Sequence, residues 1–389
     1  MNPIQVWDYR AEYEEEREEI LRAIEAVFRS GRLILGEQVR RFESEFAQYC
    51  GLAYGIGVNS GTDALFLALK AIDVGPGDEV ITVANTAVPT VSAICATGAT
   101  PRFVDVEPET YLMDVDRLEG AITARTKCIL PVHLFGQCVR METVREVAKR
   151  HGLRVLEDCA QSHGAERNGV KAGAMSDLAA FSFYPTKILG SYGDAGMVCT
   201  NDPQIAARLR RLRMYGMDEP RQYSEEYGLK SSYYSVEAGY NSRLDEIHAA
   251  ILLTKLPKID GYLVRRRAIA SRYDSILADT DIVLPKVVPD NRHAYYLYVG
   301  RHPQRDAIVA ELAERNIFVK VDYPWPVHLM PAYEWLGYKD GALPETERAA
   351  HEIFSLPMFP SLHGQDQDRV CSALHEILKS SAHTERRAP

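Results

Sequence analysis

From residue 54 to residue 198 the chain repeats one theme, a short apolar run followed by a stretch whose apolar residues recur at helical spacing. The runs fall at Ile56–Val58, Glu79–Val83, Thr100–Val104, Cys128–Pro131, Leu153–Leu156 and Leu178–Phe183. Helical stretches follow Thr62 and occupy Thr90–Ala96, Asp114–Ala121 and 141–151. Runs this short and this apolar suit strands buried on both faces. Strands joined through helices run parallel, because a parallel pair needs a crossover connection. The pattern therefore predicts an α/β fold, a mostly parallel central sheet with helices on both faces. Ligands of such sheets gather beyond the carboxyl ends of the strands, so the residues just after each run are the first candidates for chemistry.

The most informative of these ends lies in Asp177–Val198, DLAAFSFYPTKILGSYGDAGMV. A strand delivers Ser182 and, past a tight Pro-containing turn, Lys187; a second strand follows at once. Gly190, Gly193 and Gly196 leave room for something flat against the backbone. A partly desolvated lysine amine loses its proton and becomes a nucleophile, able to form a Schiff base with an aldehyde cofactor. A surface lysine in a turn fits the same residues. Upstream, Ile56–Val58 runs into Asn59-Ser60-Gly61-Thr62, where a helix begins. The free N–H groups and dipole of that helix start suit one small phosphate, and the same turn also fits a plain capped helix. The Gly-Lys-Ser/Thr of a P-loop and the spaced glycines of a dinucleotide fingerprint are absent, which argues against a nucleotide tail or a nucleotide-dependent oxidoreductase. Asp158 ends another buried strand, where a carboxylate calls for a cationic partner. Only His163 stands near it at metal-ligand spacing, so no metal site is expected.

Composition narrows the partners. The formal net charge is −9 and no basic block occurs, which excludes a phosphate-backbone binder of nucleic acid. No apolar run is long enough to cross a membrane, and the acidic N-terminus has no apolar core of a signal peptide. Seven cysteines occur without a CxxC pair, several within strand-like runs, as expected of reduced thiols in a cytoplasmic protein.

Around the central rhythm, residues 12–29 and Val39–Tyr49 read as amphipathic helices, with Phe42 and Phe46 in the core. Residues 203–213 read as a helix. Residues 214–240 are polar and tyrosine-rich, a loop long enough to reach a partner. Ser242 and Asp245 approximate a capping box, with Asn241 at the mouth of the helix that follows. The composition changes near Gly261, dividing the chain into a large unit, 1–260, and a smaller C-terminal α+β domain, 261–389. In the latter we expect a basic helix to Ala278, strands at Tyr295–Gly300 and Ile317–Val321, a helix at Asp306–Arg315, a Pro-rich segment at 323–328, and a polar tail from Ser380 that frays.

A phosphate cradle at Ser60-Gly61-Thr62, a carboxylate at Asp158 able to keep a ring nitrogen protonated, and Ser182 with Lys187 next to it are the requirements of pyridoxal phosphate. The blocks LEDCAQSHGA, SFYPTKILGSYGDAG and GYNSRLDE resemble the signatures of the DegT/DnrJ/StrS sugar aminotransferases, in the family's order and over nearly the whole chain. SGRLILG, NTAVPTV, PVHLFGQC, VDYPWPVH and FSLPMFPSL resemble its nucleotide-sugar 3-aminotransferases of the desosamine and mycaminose type. The resemblance implies a type I aminotransferase fold and a homodimer with shared active sites. It implies that Lys187 holds the cofactor, Asp158 pairs with its pyridine nitrogen and Gln161 lies by its ring hydroxyl. Gly61, Thr62 and Ser182 would hold the phosphate, and Asn241 would reach the neighbouring subunit's phosphate. The implied reaction moves an amino group from L-glutamate to C3 of a dTDP-3-keto-6-deoxyhexose, with pyridoxamine phosphate as the half-way form. A C4 aminotransferase on a 4-keto sugar and a non-catalytic cofactor-binding homologue are the alternatives. Two departures stand out. Ala87 occupies a place where many members stack an aromatic ring on the cofactor, leaving His163 as a candidate for that role. Tyr184 replaces a frequent histidine, which suggests a place near the sugar hydroxyls. Tyr323 and His328 are further candidates for the sugar pocket, and as aromatics they equally fit a packed domain interface.

Overall fold

The computed structural model describes residues 2–218 and 234–385. Its centre is a seven-stranded sheet built from β1 (Tyr54–Val58), β2 (Glu79–Val83), β3 (Thr100–Val104), β4 (Thr126–Ile129), β5 (Arg154–Asp158), β8 (Leu178–Ser182) and β9 (Gly196–Thr200), in the order β1–β9–β8–β5–β4–β2–β3. The pairs from β8 across to β3 are all parallel. Only β9 is reversed, because the loop after β8 returns directly without a crossover helix. Two short strands, β6 (Glu166–Arg167) and β7 (Val170–Lys171), form a side hairpin that pairs with β10 (Asn291–Arg292).

The helices follow from the predicted spacing. They are α1 (Arg10–Ser30), α2 (Glu37–Cys50), α3 (Gly61–Ala71), α4 (Val88–Ala96), α5 (Leu118–Ala121), α6 (Met141–His151), α7 (Pro203–Leu212), α8 (Glu246–Lys255) and α9 (Ile259–Leu277). Residues 114–121 form less helix than expected. Asp114 caps a single 3-10 turn at Val115–Arg117, and only four residues of α-helix follow. On α2, Phe42 and Phe46 are fully buried. The ring of Phe46 meets Phe181 at 4.9 Å and Phe183 at 5.0 Å, both nearly edge-on, the favoured arrangement of aromatic pairs. This contact fixes the strand that carries the lysine loop.

Beyond α9 lie β11 (Tyr298–Arg301), α10 (Arg305–Glu314), α11 (Pro344–Glu352), β12 (Ile353–Leu356) and α12 (Gly364–Glu385). The composition shift at Gly261 falls inside the first turn of α9. Ile259 and Leu263 pack with the central sheet, while Ile269, Tyr273 and Leu277 pack in a second cluster with Tyr298, Phe354 and Leu374. Ile4, from the opposite end of the chain, joins that second cluster and pairs with Ile317. The expected strand at Ile317–Val321 is not formed. It is reduced to isolated bridges, Ile4 with Ile317 and Lys320 with Ser355, because the chain turns away into the Pro-rich segment. The polar tail expected to fray from Ser380 continues as helix to Glu385. Of the loop at 214–240, residues 219–233 lie outside the described residues. Its flanks pair with each other, Met214 with Asn241 and Met217 with Ser235.

Phe46→Ala removes the ring that joins α2 to β8. It is expected to lower the unfolding free energy by about 3–5 kcal/mol, read from denaturant titration.

Candidate active site

Sheet register assembles the first half of the site. Val58, Gly196 and Ser182 lie side by side across β1, β9 and β8. The turn after β1 can therefore reach Ser182 only by crossing the start of β9. Gly196 permits the crossing, since a Cβ there would lie 2.2 Å from the Ser60 carbonyl oxygen. Gly61 completes it, since its Cβ would lie 2.5 Å from the Ser182 Cβ. Ser60 caps α3 by accepting from the Asp63 amide at 3.1 Å. The N–H groups of a helix start, the hydroxyl of Ser182 and the half-buried Thr62 thus lie close together, an arrangement suited to an anion.

The second half lies one strand over. Asp158 is buried at the end of β5, in register with Ala180 of β8. Its Oδ2 accepts from Thr90 Oγ1 at 2.9 Å and its Oδ1 from the Ala160 amide at 3.1 Å. Burial nevertheless raises its carboxyl above the usual carboxylate range, although both hydrogen bonds and the nearby charge of Lys187 oppose the rise. A cation facing this carboxylate would relieve that burial. Lys187 is half-buried, with Nζ 4.5 Å from the centre of the Tyr296 ring. Its loop closes on itself through the Lys187 amide and the Tyr184 carbonyl, 2.8 Å apart. Gln161 is held at both ends: its carbonyl accepts from the Phe135 amide and its amide donates to the Tyr323 hydroxyl, each at 2.8 Å. Burial pushes the Tyr323 phenol well above its ordinary range, so it stays protonated. Tyr184 is 50% exposed at the lip of the lysine loop.

Other expectations resolve differently. His163 packs in the core, fully buried with the rings of Phe46, Phe181 and Phe183 around it. Neither of its ring nitrogens has a partner of normal hydrogen-bond geometry, and burial pushes its pKa down to about 3. His328 is a packed side chain in the cluster of Phe103 and Val327. It is buried beside Phe103 and Tyr338, and its Nε2 meets Glu347 at 2.9 Å. The room left by the three glycines is filled by protein rather than open to a flat ligand. Gly190 abuts the Pro185 carbonyl, Gly193 the His248 ring and Gly196 the Ser60 carbonyl. Ser242 caps nothing in α8, which starts after Asp245 without a side-chain cap. It donates instead to Asp63 and accepts from the Asn59 amide, tying its segment to the mouth of α3. Asn241 is exposed next to it.

One group of metal-ligating residues occurs among the described residues: His133, Glu157 and Cys159. Its lone pairs are already used. His133 Nδ1 accepts from the Val139 amide, so its Nε2–H donates to Glu157. Glu157 also accepts from the Gly173 and Met175 amides and from Ser176. Burial keeps the Cys159 thiol protonated. This is a satisfied polar core cluster.

Three groups at the site escaped the sequence analysis. Thr90 stands in the NTAVPTV block, and its place in the first turn of α4 was a usable signal. Tyr296 comes from a distant segment and carries none. The pair Lys320–Asp322, 2.7 Å apart, precedes Tyr323 on the edge of β12.

The whole arrangement is that of a type I aminotransferase, in which a helix start with free N–H groups, a buried carboxylate and a lysine lie at the ends of a mostly parallel sheet. Residues 14–375 match the DegT/DnrJ/EryC1/StrS aminotransferase family, and the chain belongs to it. It is 53% identical to the dTDP-3-amino-3,4,6-trideoxy-alpha-D-glucose transaminase of Micromonospora megalomicea subsp. nigra, over 96% of this chain and 98% of that one. It is 44% identical to the "Pleiotropic regulatory protein" of Geobacillus stearothermophilus, over 96% of this chain and 98% of that one. The crystal structure of S. venezuelae DesV in complex with a ketimine intermediate superposes with a TM-score of 0.91 at 43% identity, covering 97% and 98% of the two chains. Solved neighbours of the same fold exist in PMP and PLP forms.

The buried His163 has a pH consequence. Above pH 6.5 folded and unfolded states both carry it neutral. Below that value the unfolded chain takes up a proton that the folded site refuses until about pH 3, so stability falls as pH falls. His163→Phe is expected to recover about 2 kcal/mol of the stability that the wild type loses between pH 7.5 and pH 5, by denaturant unfolding at both pH values.

Proposed function

We propose that the chain is a PLP-dependent nucleotide-sugar aminotransferase. It moves an amino group from L-glutamate to C3 of a dTDP-3-keto-6-deoxyhexose, giving a dTDP-3-amino-3,6-dideoxyhexose in deoxyaminosugar biosynthesis of the kind that serves antibiotics. The observation that carries this reading is the convergence of Ser182, Gly61, Asp158 and Lys187 on one end of the sheet. The identity to a C3 sugar transaminase supports the substrate class and favours C3 over C4.

The residues fit the cofactor on two grounds. The missing Cβ of Gly61 lets the start of α3, with its free N–H groups, lie against Ser182, and Asp158 is a buried carboxylate whose burial a cation would relieve. When bound, pyridoxal phosphate supplies an electron sink for breaking the bond to hydrogen at the amine-bearing carbon, and pyridoxamine phosphate carries the amino group between the two half-reactions. Asp158, oriented by Thr90 and Ala160, would keep a ring nitrogen protonated. Lys187 Nζ would hold the aldehyde end of the cofactor, and the same amine would serve as the base and acid that moves the substrate's proton. Tyr296 under Lys187 limits where that amine can swing. Gln161, fixed between Phe135 and Tyr323, offers its amide to the ring hydroxyl. Tyr184 and Tyr323 border the sugar.

The reading includes a cytoplasmic homodimer. Asn241, exposed next to Ser242, would reach the phosphate held by a second copy. Phe28, Leu33 and Val236 remain about half exposed, apolar surface that such a copy would cover. No helix among the described residues is long and apolar enough to cross a membrane.

A relative with a regulatory name favours one rival, a non-catalytic cofactor-binding homologue. L-Glutamate separates the two. The wild type saturated with pyridoxal phosphate is expected to be yellow and to lose that band on adding glutamate, while Lys187→Ala lacks the band and turns over at least about 1,000-fold more slowly. A band unmoved by glutamate would leave the regulatory rival standing. Turnover of a 4-keto but not a 3-keto dTDP-sugar would move the reaction to C4.

A further inference from the structure

The segment that enters the site beside Tyr323 carries a polar pair with half of its capacity unused. Asp322 is only 4% exposed, yet its Oδ2 has no hydrogen-bond partner among the described residues. Its Oδ1 is paired with Lys320 Nζ at 2.7 Å. A buried carboxylate oxygen left without a donor costs free energy, so its retention calls for a donor supplied from outside the fold. The contrast with Glu157 is direct, since that buried carboxylate is saturated by four donors.

Position ties the pair to the reaction centre. The next residue, Tyr323, holds Gln161, and Gln161 follows Asp158 by three residues. Lys320 lies within electrostatic reach of the phenols of Tyr184 and of Tyr296, the ring over which Lys187 lies. The backbone of Lys320 is bonded in both directions to Ser355 of β12, so the pair stands on a rigid edge. Lys320 retains donors beyond the one engaged with Asp322, because an ammonium carries three.

We propose that Lys320 and Asp322 form a clamp for a sugar hydroxyl on a carbon next to the reacting carbonyl. The hydroxyl donates to Asp322 Oδ2 and accepts from Lys320 Nζ. A hydroxyl is the small group that both gives and takes a hydrogen bond, which a carboxylate–ammonium pair requires; a carboxylate ligand would leave Oδ2 facing a like charge. The inference rests on the sugar-transaminase reading and adds to it the feature of the sugar that is recognised. A 3-amino-3,6-dideoxyhexose has two such hydroxyls, at C2 and C4.

The test is calorimetric titration of the holoenzyme with dTDP-3-amino-3,6-dideoxyhexoses of gluco and galacto configuration and with their 2-deoxy and 4-deoxy counterparts. The wild type is expected to lose about 10- to 100-fold in affinity when one of the two hydroxyls is removed. Asp322→Asn and Lys320→Met are each expected to shrink that difference to under about threefold while keeping the glutamate-driven loss of the cofactor band. Equal affinity of the wild type for all the sugars would overturn the clamp, as would a difference that persists in both variants. Variants that weaken glutamate alone would also overturn it and assign the pair to the amino donor. If the wild type answers glutamate but binds none of the sugars, the sugar reading falls and the clamp with it. If it binds and transaminates the sugars without discriminating the deoxy forms, only the clamp falls.

Discussion

The site depends on one close crossing. β9 runs antiparallel between β1 and β8, so it separates the strand that feeds the α3 turn from the strand that presents Ser182 and leads to Lys187. The turn must pass over the first residue of β9 to join them. Only a residue without a side chain allows it, and position 196 is glycine. A methyl group there would collide with backbone, which cannot yield as a flexible side chain can. The anion cradle is therefore a property of strand order and register before it is a property of any polar group.

Three buried carboxylates show how burial separates structure from chemistry. Glu157 points into the core and meets four donors, so it is silent. Asp158, the next residue along an alternating strand, faces the opposite way. It meets two donors and the charge of Lys187, and burial still holds its carboxyl up. Asp322 meets one partner. The unmet capacity rises from Glu157 to Asp322, and with it the suitability for contact with something that arrives from solvent.

The legible parts of the fold were those with strong local period. β2 and β3 have the boundaries read from their apolar runs, and the helices at 141–151 and 203–213 follow their patterns to within a residue. The strand at 317–321 failed because only Ile317 of the run is buried, Phe318 stays 39% exposed, and the segment makes two isolated bridges instead of a ladder. Lys187, Asp158 and the α3 turn were visible because each sits at the end of a recognisable strand. His163 and His328 misled for one shared reason: an aromatic, titratable residue in a signature block reads as functional, and nothing local says which way it points. Both point into packed clusters.

The order of residues along the chain determined the sheet, the lysine loop, the family and the chemistry, since these follow from period, turn residues and blocks that resemble known ones. Tertiary structure alone decided which polar groups meet. Tyr296 under Lys187, Thr90 on Asp158 and Tyr323 on Gln161 join segments far apart in the chain, and although Lys320 and Asp322 are neighbours, only the packing around them leaves Oδ2 without a partner. No local pattern encodes such pairs, because they are set by how rigid elements pack and by which donors remain once packing is complete.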